Sequence, residues 1–175
     1  MPISYRAPLA LLVASLLLGC ASIPAEGPTA VAVLEATKGN QTSGSVTFTQ
    51  VGSNVRIVAN IKGLKAGVEH GFHIHDKGDC SSGDGMSTGG HFNPAGKPHA
   101  HPGKMERHAG DLPALQADAS GNAKLSITLD VLTVASGPYS VVGRGLIVHR
   151  DPDDYMTQPT GNSGPRIACG VIKAG

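Results

Sequence analysis

Tryptophan is absent from the 175 residues, and aromatic side chains make up only 3%. A core of stacked rings is therefore excluded, and the interior is expected to rest on Val, Ile, Leu and Ala. No long window places apolar residues at helical spacing, which excludes a helix bundle, and no internal repeat is present. Charge is scarce and balanced at a formal net +1 with His neutral, so the basic face that nucleic acid requires is missing. Long apolar runs are missing too. The longest, Leu9 to Leu18, is too short to span a bilayer. What is abundant is glycine, at 24, and proline, at 12, a turn-rich balance that favours short strands.

The apolar run has the right length for the middle of a signal peptide, with Arg6 ahead of it. It ends in Leu17-Leu18-Gly19-Cys20, which resembles the bacterial lipobox, in which the cysteine takes lipid and becomes the mature N-terminus. A plain secretory signal cut near Ala21 or Ala25 is the other reading. Both predict export to the periplasm or cell envelope. Ala21-Ser22 lacks the aspartate associated with inner-membrane retention, so a lipid anchor in the outer membrane is expected, with no other membrane contact. The expected organisation is a signal peptide over 1–19, a tether over 20–29 beginning at lipidated Cys20, and one domain over 30–175. Three cysteines are present, Cys20, Cys80 and Cys169. If Cys20 takes lipid, Cys80 and Cys169 remain as one pair, a disulfide in an oxidising compartment or else two buried thiols.

Strand signals fall at AVAVLEA (30–36), GSVTFTQV (44–51), NVRIVANI (54–61), GFHIHD (71–76), NAKLSITL (122–129), VVGRGLIVH (141–149) and RIACGVI (166–172). From Lys77 to about Ala119 the pattern stops, and a loop that long needs something other than a core to order it. The reading is all-β: a Greek-key flattened β-barrel or sandwich of about eight antiparallel strands with two long functional loops.

Chemistry concentrates in HGFHIHDKGDC (70–80). In an extended chain His73 and His75 share one face and His70 takes the other, so the first two can reach one metal ion. The long loop adds His91, His99, His101, His108 and Asp111. Three of these histidines with the aspartate would form a closed zinc site, whose binding energy would also order the loop. His149 ends a strand that can face His73 and His75, and four imidazoles around one ion suit Cu(II).

GFHIHDKGDC, GGHFNPAGKPH, RHAGDL, VVGRGLIVHRDPDD and TGNSGPRIACGVI together resemble the copper/zinc superoxide dismutases, in order from about Ala30 to Ile172. The early Cys80 and the leader are similar to the exported bacterial branch. The resemblance implies one copper per chain on His73, His75, His91 and His149. It implies one zinc on His91, His99, His108 and Asp111, so that His91 bridges the two and His99 is preferred to His101. Asp153 would hydrogen-bond a copper and a zinc histidine, Arg166 would attract and orient superoxide, and Cys80 and Cys169 would form the intrasubunit disulfide. The implied activity is dismutation of superoxide to dioxygen and hydrogen peroxide, with His91 and Arg166 as catalytic residues, in defence of the envelope, by a homodimer or monomer. The alternative is a non-catalytic copper/zinc buffering or delivery protein on the same fold.

Three features depart from that pattern. Pro165 precedes Arg166 and constrains Gly164, which bears on the placement of the arginine. The segment 150–165 is short, with several acids and no lysine, so anion steering falls to Arg166 alone or to Lys97 and Lys104. His70 and His101 are extra histidines, expected at the surface or behind the ligands.

Overall fold

In the computed structural model, Met1 and residues 25–175 are described; the remainder of the leader, including Cys20 and its expected lipid, lies outside the described residues. Among the described residues nine strands form: β1 (Glu26–Ala36), β2 (Ser43–Val51), β3 (Asn54–Lys62), β4 (Glu69–His70), β5 (Phe72–His75), β6 (Leu115–Gln116), β7 (Ala123–Leu129), β8 (Gly145–His149) and β9 (Arg166–Ala174). Seven of them make one antiparallel sheet in the order β5-β8-β9-β1-β2-β3-β7, and β4 pairs with β6. The last strand lies beside the first, and β7 returns to β3 after the excursion through β4, β5 and β6. This is the Greek-key, all-β architecture that the strand rhythm predicts.

Alternation explains the core. On β3, Val55, Ile57, Ala59 and Ile61 point inward, and Ala30, Ala32 and Leu34 do the same on β1, with Val46 and Phe48 on β2. Each large apolar side chain so buried is worth about 1.5–3 kcal/mol. The aliphatic expectation needs one correction: Phe48, Phe72 and Phe92, all the phenylalanines there are, are fully buried. Few rings were available, and these sit where a large side chain fills space between strands and loop.

Two boundaries also differ from the sequence pattern. Strand β1 opens at Glu26, so residues 26–29 of the expected tether are already in the sheet, Glu26 pairing with Val51 and forming an ion pair with Arg56. Strand β8 opens at Gly145, four residues after Val141, because Gly143 takes a φ of 82° and Arg144 N–H donates to Val141 O at 3.2 Å in a turn.

The long loop after β5 is ordered by three devices. Its two halves zip onto the free edge of β5: Phe92 N–H donates to Ile74 O at 2.8 Å, Ile74 N–H to Gly110 O at 2.9 Å, and Asp76 N–H to Gly90 O at 2.9 Å. The edge strand therefore has its backbone groups satisfied. A disulfide joins Cys80 in the loop to Cys169 in the central strand β9, 89 residues apart. The third device is the histidine cluster described below. Replacing Cys80 and Cys169 by serine should destabilise the metal-free chain by about 2–4 kcal/mol, a fall of roughly 5–15 °C in Tm. Thermal unfolding of the double variant measures this, and an unchanged midpoint would mean that hydrogen bonds alone hold the loop.

Candidate metal centre

Strand β5 carries Phe72 and Ile74 into the core and His73 and His75 to the other face, where the loop covers them; all four are buried. Its partner β8 ends at His149, after a bulge between Val148 and His149 that turns the last side chain out of regular register. Across the other edge of β5, isolated bridges place His91 opposite His75 and Asp111 opposite His73. Sheet pairing on both sides of one short strand thus gathers the predicted residues.

They fall into two groups that share His91. One holds His73, His75, His91 and His149, the other His91, His99, His108 and Asp111, and within each group the candidate ligand atoms lie within 4.8 Å of one another. In the first group, His73 Nδ1, His75 Nε2, His91 Nε2 and His149 Nε2 are buried and have no hydrogen-bond partner. The opposite nitrogens explain their state. His75 Nδ1 donates to Gly89 O at 2.9 Å, His149 Nδ1 to Gly164 O at 3.1 Å, and His73 Nε2 to an Asp153 oxygen at 2.6 Å. With the proton on the outer nitrogen, the inner nitrogen presents a lone pair. A buried acceptor without a partner costs about 1–3 kcal/mol, so four in one place amount to a large part of a domain's net stability. A cation at their centre removes that cost, and an all-imidazole set suits copper.

The second group converges on a single oxygen. Asp111 Oδ1 lies 2.9 Å from His91 Nδ1, 2.9 Å from His99 Nδ1 and 3.3 Å from His108 Nδ1. Its other oxygen accepts the backbone N–H of His108 at 3.0 Å and of Ala100 at 3.2 Å, which fixes the carboxylate in the loop. Three imidazole nitrogens and one carboxylate oxygen match a closed tetrahedral zinc site. His91 offers Nε2 to one group and Nδ1 to the other.

Electrostatics separates the two groups. Burial, reinforced by neighbouring imidazoles, pushes His75 well below its ordinary value and His149 to about 3. His91 falls to about 4, burial outweighing its hydrogen bond to Asp111. These rings are neutral at pH 7, as metal ligation requires. His99 goes the other way: burial opposes its charge, but hydrogen bonds to Asp111 and Asp153 win and raise it to about 9. Both aspartates are disfavoured by burial yet held well below the usual carboxylate range by their histidine partners.

The sequence matches the family described as copper/zinc superoxide dismutase (SODC) over residues 42–172. The chain belongs to the copper/zinc superoxide dismutase family. Among solved structures it is similar to one titled as a crystal structure analysis of the clock protein EA4, at 40% identity and a TM-score of 0.75, covering 87% of this chain and 96% of that one.

Around the two candidate ligand groups of this superoxide dismutase fold, Asp153 Oδ2 meets His73 Nε2 while Oδ1 meets His99 Nε2 at 3.0 Å, so one carboxylate touches a ring of each group. Arg166 opens β9 opposite His149. Its Nη1 donates to Gly85 O at 2.6 Å and Thr88 Oγ1 at 2.8 Å, and its Nη2 to Gly89 O at 2.7 Å. The Gly89 carbonyl therefore serves both Arg166 and His75. Pro165 does not pull the arginine away: Gly164 absorbs the constraint at a φ of 72°, and the Pro165 carbonyl accepts Arg150 N–H at 2.8 Å.

Several participants were not legible as ligand-type residues. Gln158 clamps the backbone of His99 at both ends, accepting its N–H and donating to its carbonyl, each at 2.8 Å. Tyr155 N–H donates to Asp153 Oδ1 at 2.7 Å. Thr37 Oγ1 holds the Arg166 carbonyl at 2.8 Å. These are backbone-directed contacts, which no spacing rule encodes. His70 corrects the surface alternative: it is buried, and its Nδ1 donates to His149 O at 2.9 Å. His101 is exposed, beside Tyr155 with ring centroids 4.8 Å apart, and belongs to neither group. Of the two loop lysines, Lys97 is paired with Glu106 at 2.8 Å, whereas Lys104 is exposed.

Proposed function

We propose that this chain dismutates superoxide, with copper held by His73, His75, His91 and His149 and zinc by His91, His99, His108 and Asp111. The observation that carries the reading is the set of four inward nitrogens without partners, joined through His91 to a group of zinc-type composition, with an arginine beside it. When bound, copper supplies a one-electron redox couple and zinc a fixed positive charge on the far side of His91.

The chain's own residues supply the rest. Arg166 has five N–H groups, three of them engaged by Gly85, Thr88 and Gly89, which leaves Nε–H and one Nη2–H for an anion. It is only partly buried, so the anion can reach it. Once zinc had replaced the proton at Nδ1, a neutral His91 would hold its one proton at Nε2, where it could be released to the reduced oxygen species. Asp153 and the Gly89 and Gly164 carbonyls keep the outer ring nitrogens protonated, which fixes the tautomers and the aim of the inner lone pairs. The net reaction takes two superoxide anions and two protons to dioxygen and hydrogen peroxide.

A metal-buffering or delivery protein of the same fold would have no use for an anion-holding arginine gripped by three acceptors, and we favour the enzyme on that ground. We further propose that the protein works outside the cytoplasm, tethered through Cys20, in defence of the envelope. The lipobox-like leader and a formed disulfide support this. The test is superoxide decay with residues 25–175 loaded with copper and zinc, with and without cyanide. Fast, cyanide-sensitive decay is expected, and Arg166→Met should lower kcat/KM by roughly 10–100-fold at unchanged copper content, as expected for loss of an oriented charge–anion contact. Full metal loading without turnover would sink the enzyme reading in favour of buffering or delivery.

A further inference from the structure

We propose that Thr88 is a positioning residue for Arg166: its hydroxyl sets the aim of the guanidinium, and so the strength with which the arginine holds a small anion. The catalytic consequence rests on the dismutase reading above; the anion-binding consequence does not.

Thr88 ends a single 3-10 turn, Met86–Thr88, and is fully buried. Its Oγ1 donates to Gly85 O at 2.8 Å and accepts from Arg166 Nη1, also at 2.8 Å. A hydroxyl has one proton. Here that proton is engaged by Gly85, so what faces the arginine is a lone pair. Gly85 O accepts Arg166 Nη1 as well, which closes a three-membered circuit of turn carbonyl, hydroxyl and guanidinium. Both Nη1 protons are thereby used, and the guanidinium is held with its Nε side free.

The other two acceptors are backbone carbonyls of glycines. Gly85 has a φ of 77° and Gly89 a φ of 74°, so both carbonyls belong to glycines in the left-handed region. Thr88 is the one side chain among the three. Its own orientation is fixed by β8: a Cβ placed on Gly145 would lie 2.7 Å from Thr88 Cγ2 and 3.0 Å from its Cβ. The threonine is thus seated directly against strand backbone, and its carbonyl accepts Lys77 N–H at 2.9 Å. The hydroxyl's bond to Gly85 O, three residues back, and the seat of the methyl against Gly145 together direct Oγ1 at Arg166.

The experiment compares Thr88→Val, which keeps the shape and loses the hydroxyl, with Thr88→Ser, which keeps the hydroxyl and loses the methyl. Full-length protein loaded with copper and zinc is titrated with azide, read from the visible absorption of copper, alongside kcat/KM and metal content. Thr88→Val should raise the azide Kd about 3–10-fold and lower kcat/KM by a similar factor at unchanged metal content, in line with loss of one charge-assisted hydrogen bond. Thr88→Ser should recover most of the azide affinity. A purely structural role would instead move metal content and leave the azide Kd of the loaded fraction unchanged. If Arg166→Lys weakens azide but Thr88→Val does not, the carbonyls alone place the arginine and the proposal fails. Should the valine variant not load, Thr88→Ala against Thr88→Ser gives the same comparison. Wild-type protein that binds azide through Arg166 but does not consume superoxide would overturn the dismutase reading while leaving this comparison intact.

Discussion

Replacing Asp111 with alanine is expected to lower the Tm of the zinc-loaded chain by about 10–15 °C. One oxygen of this carboxylate is the point on which three imidazoles converge, and the other secures two backbone N–H groups. Saturating zinc at about a thousand times its Kd stabilises a folded chain by roughly 4 kcal/mol, and for a domain of this size each kcal/mol moves Tm by about 2–4 °C. The variant forfeits that linkage. Zinc titration followed by calorimetry tests it, and a zinc-dependent Tm shift surviving in Asp111→Ala would remove the aspartate from the site.

A pH signature accompanies this prediction. Without metal, His99 stands between Asp111 and Asp153 with its value raised to about 9 from an ordinary 6.5. A raised value means that the proton's contribution to stability is complete below about 6.5 and is lost as pH rises through about 9. The metal-free chain should therefore weaken over that window. Zinc bound at His99 would take the proton's place, so the loaded chain should not show the same decline. Parallel slopes for the two forms would show that zinc does not use His99.

The strands and the ligand-type residues were legible for the same reason: both are written in residue identity at short spacing. Alternation in NVRIVANI predicts the buried face of β3, and one intervening residue puts His73 and His75 together. What joins distant segments was less legible. Without the family resemblance, His101 rivals His99 two residues away, and the fold holds His99 in place through the two-ended grip of Gln158 on its backbone, 59 residues away. His70, read as lying off the ligand face, does so, but the break at Gly71 turns it inward onto the His149 carbonyl. A Cβ on Gly71 would lie 2.7 Å from the Ser163 hydroxyl, so only glycine leaves room here for a loop 92 residues further on. The expected charge steering is thinner than the lysine count suggests, because Lys97 is engaged by Glu106.

Glycine positions carry the largest part of what residue types could not tell, and Gly161→Ala tests the most demanding of them. A Cβ there would fall 1.8 Å from Asp153 Oδ1 and 2.6 Å from His99 Nε2, with the backbone at a φ of 69°. No small adjustment relieves such an overlap, since the Tyr155 N–H holds that same Oδ1 and His73 holds Oδ2. The methyl must expel Asp153 from between the two rings. Left-handed strain of about 1–2 kcal/mol then adds to the cost of parting a buried charge from its partners, about 3–5 kcal/mol. With the outer nitrogens of His73 and His99 released, affinity at both metal groups should fall by roughly 10–100-fold. Gly39→Ala separates the two contributions, because Gly39 has a φ of 82° but nothing within 4 Å of an added Cβ. It should show the strain alone, a few degrees in Tm and no change in metal affinity, measured by competition with a chelator. If Gly161→Ala behaves like Gly39→Ala, Asp153 can move without consequence and does not couple the copper and zinc groups. If it loses both metals together, one carboxylate and the bare backbone beside it hold the two groups in register.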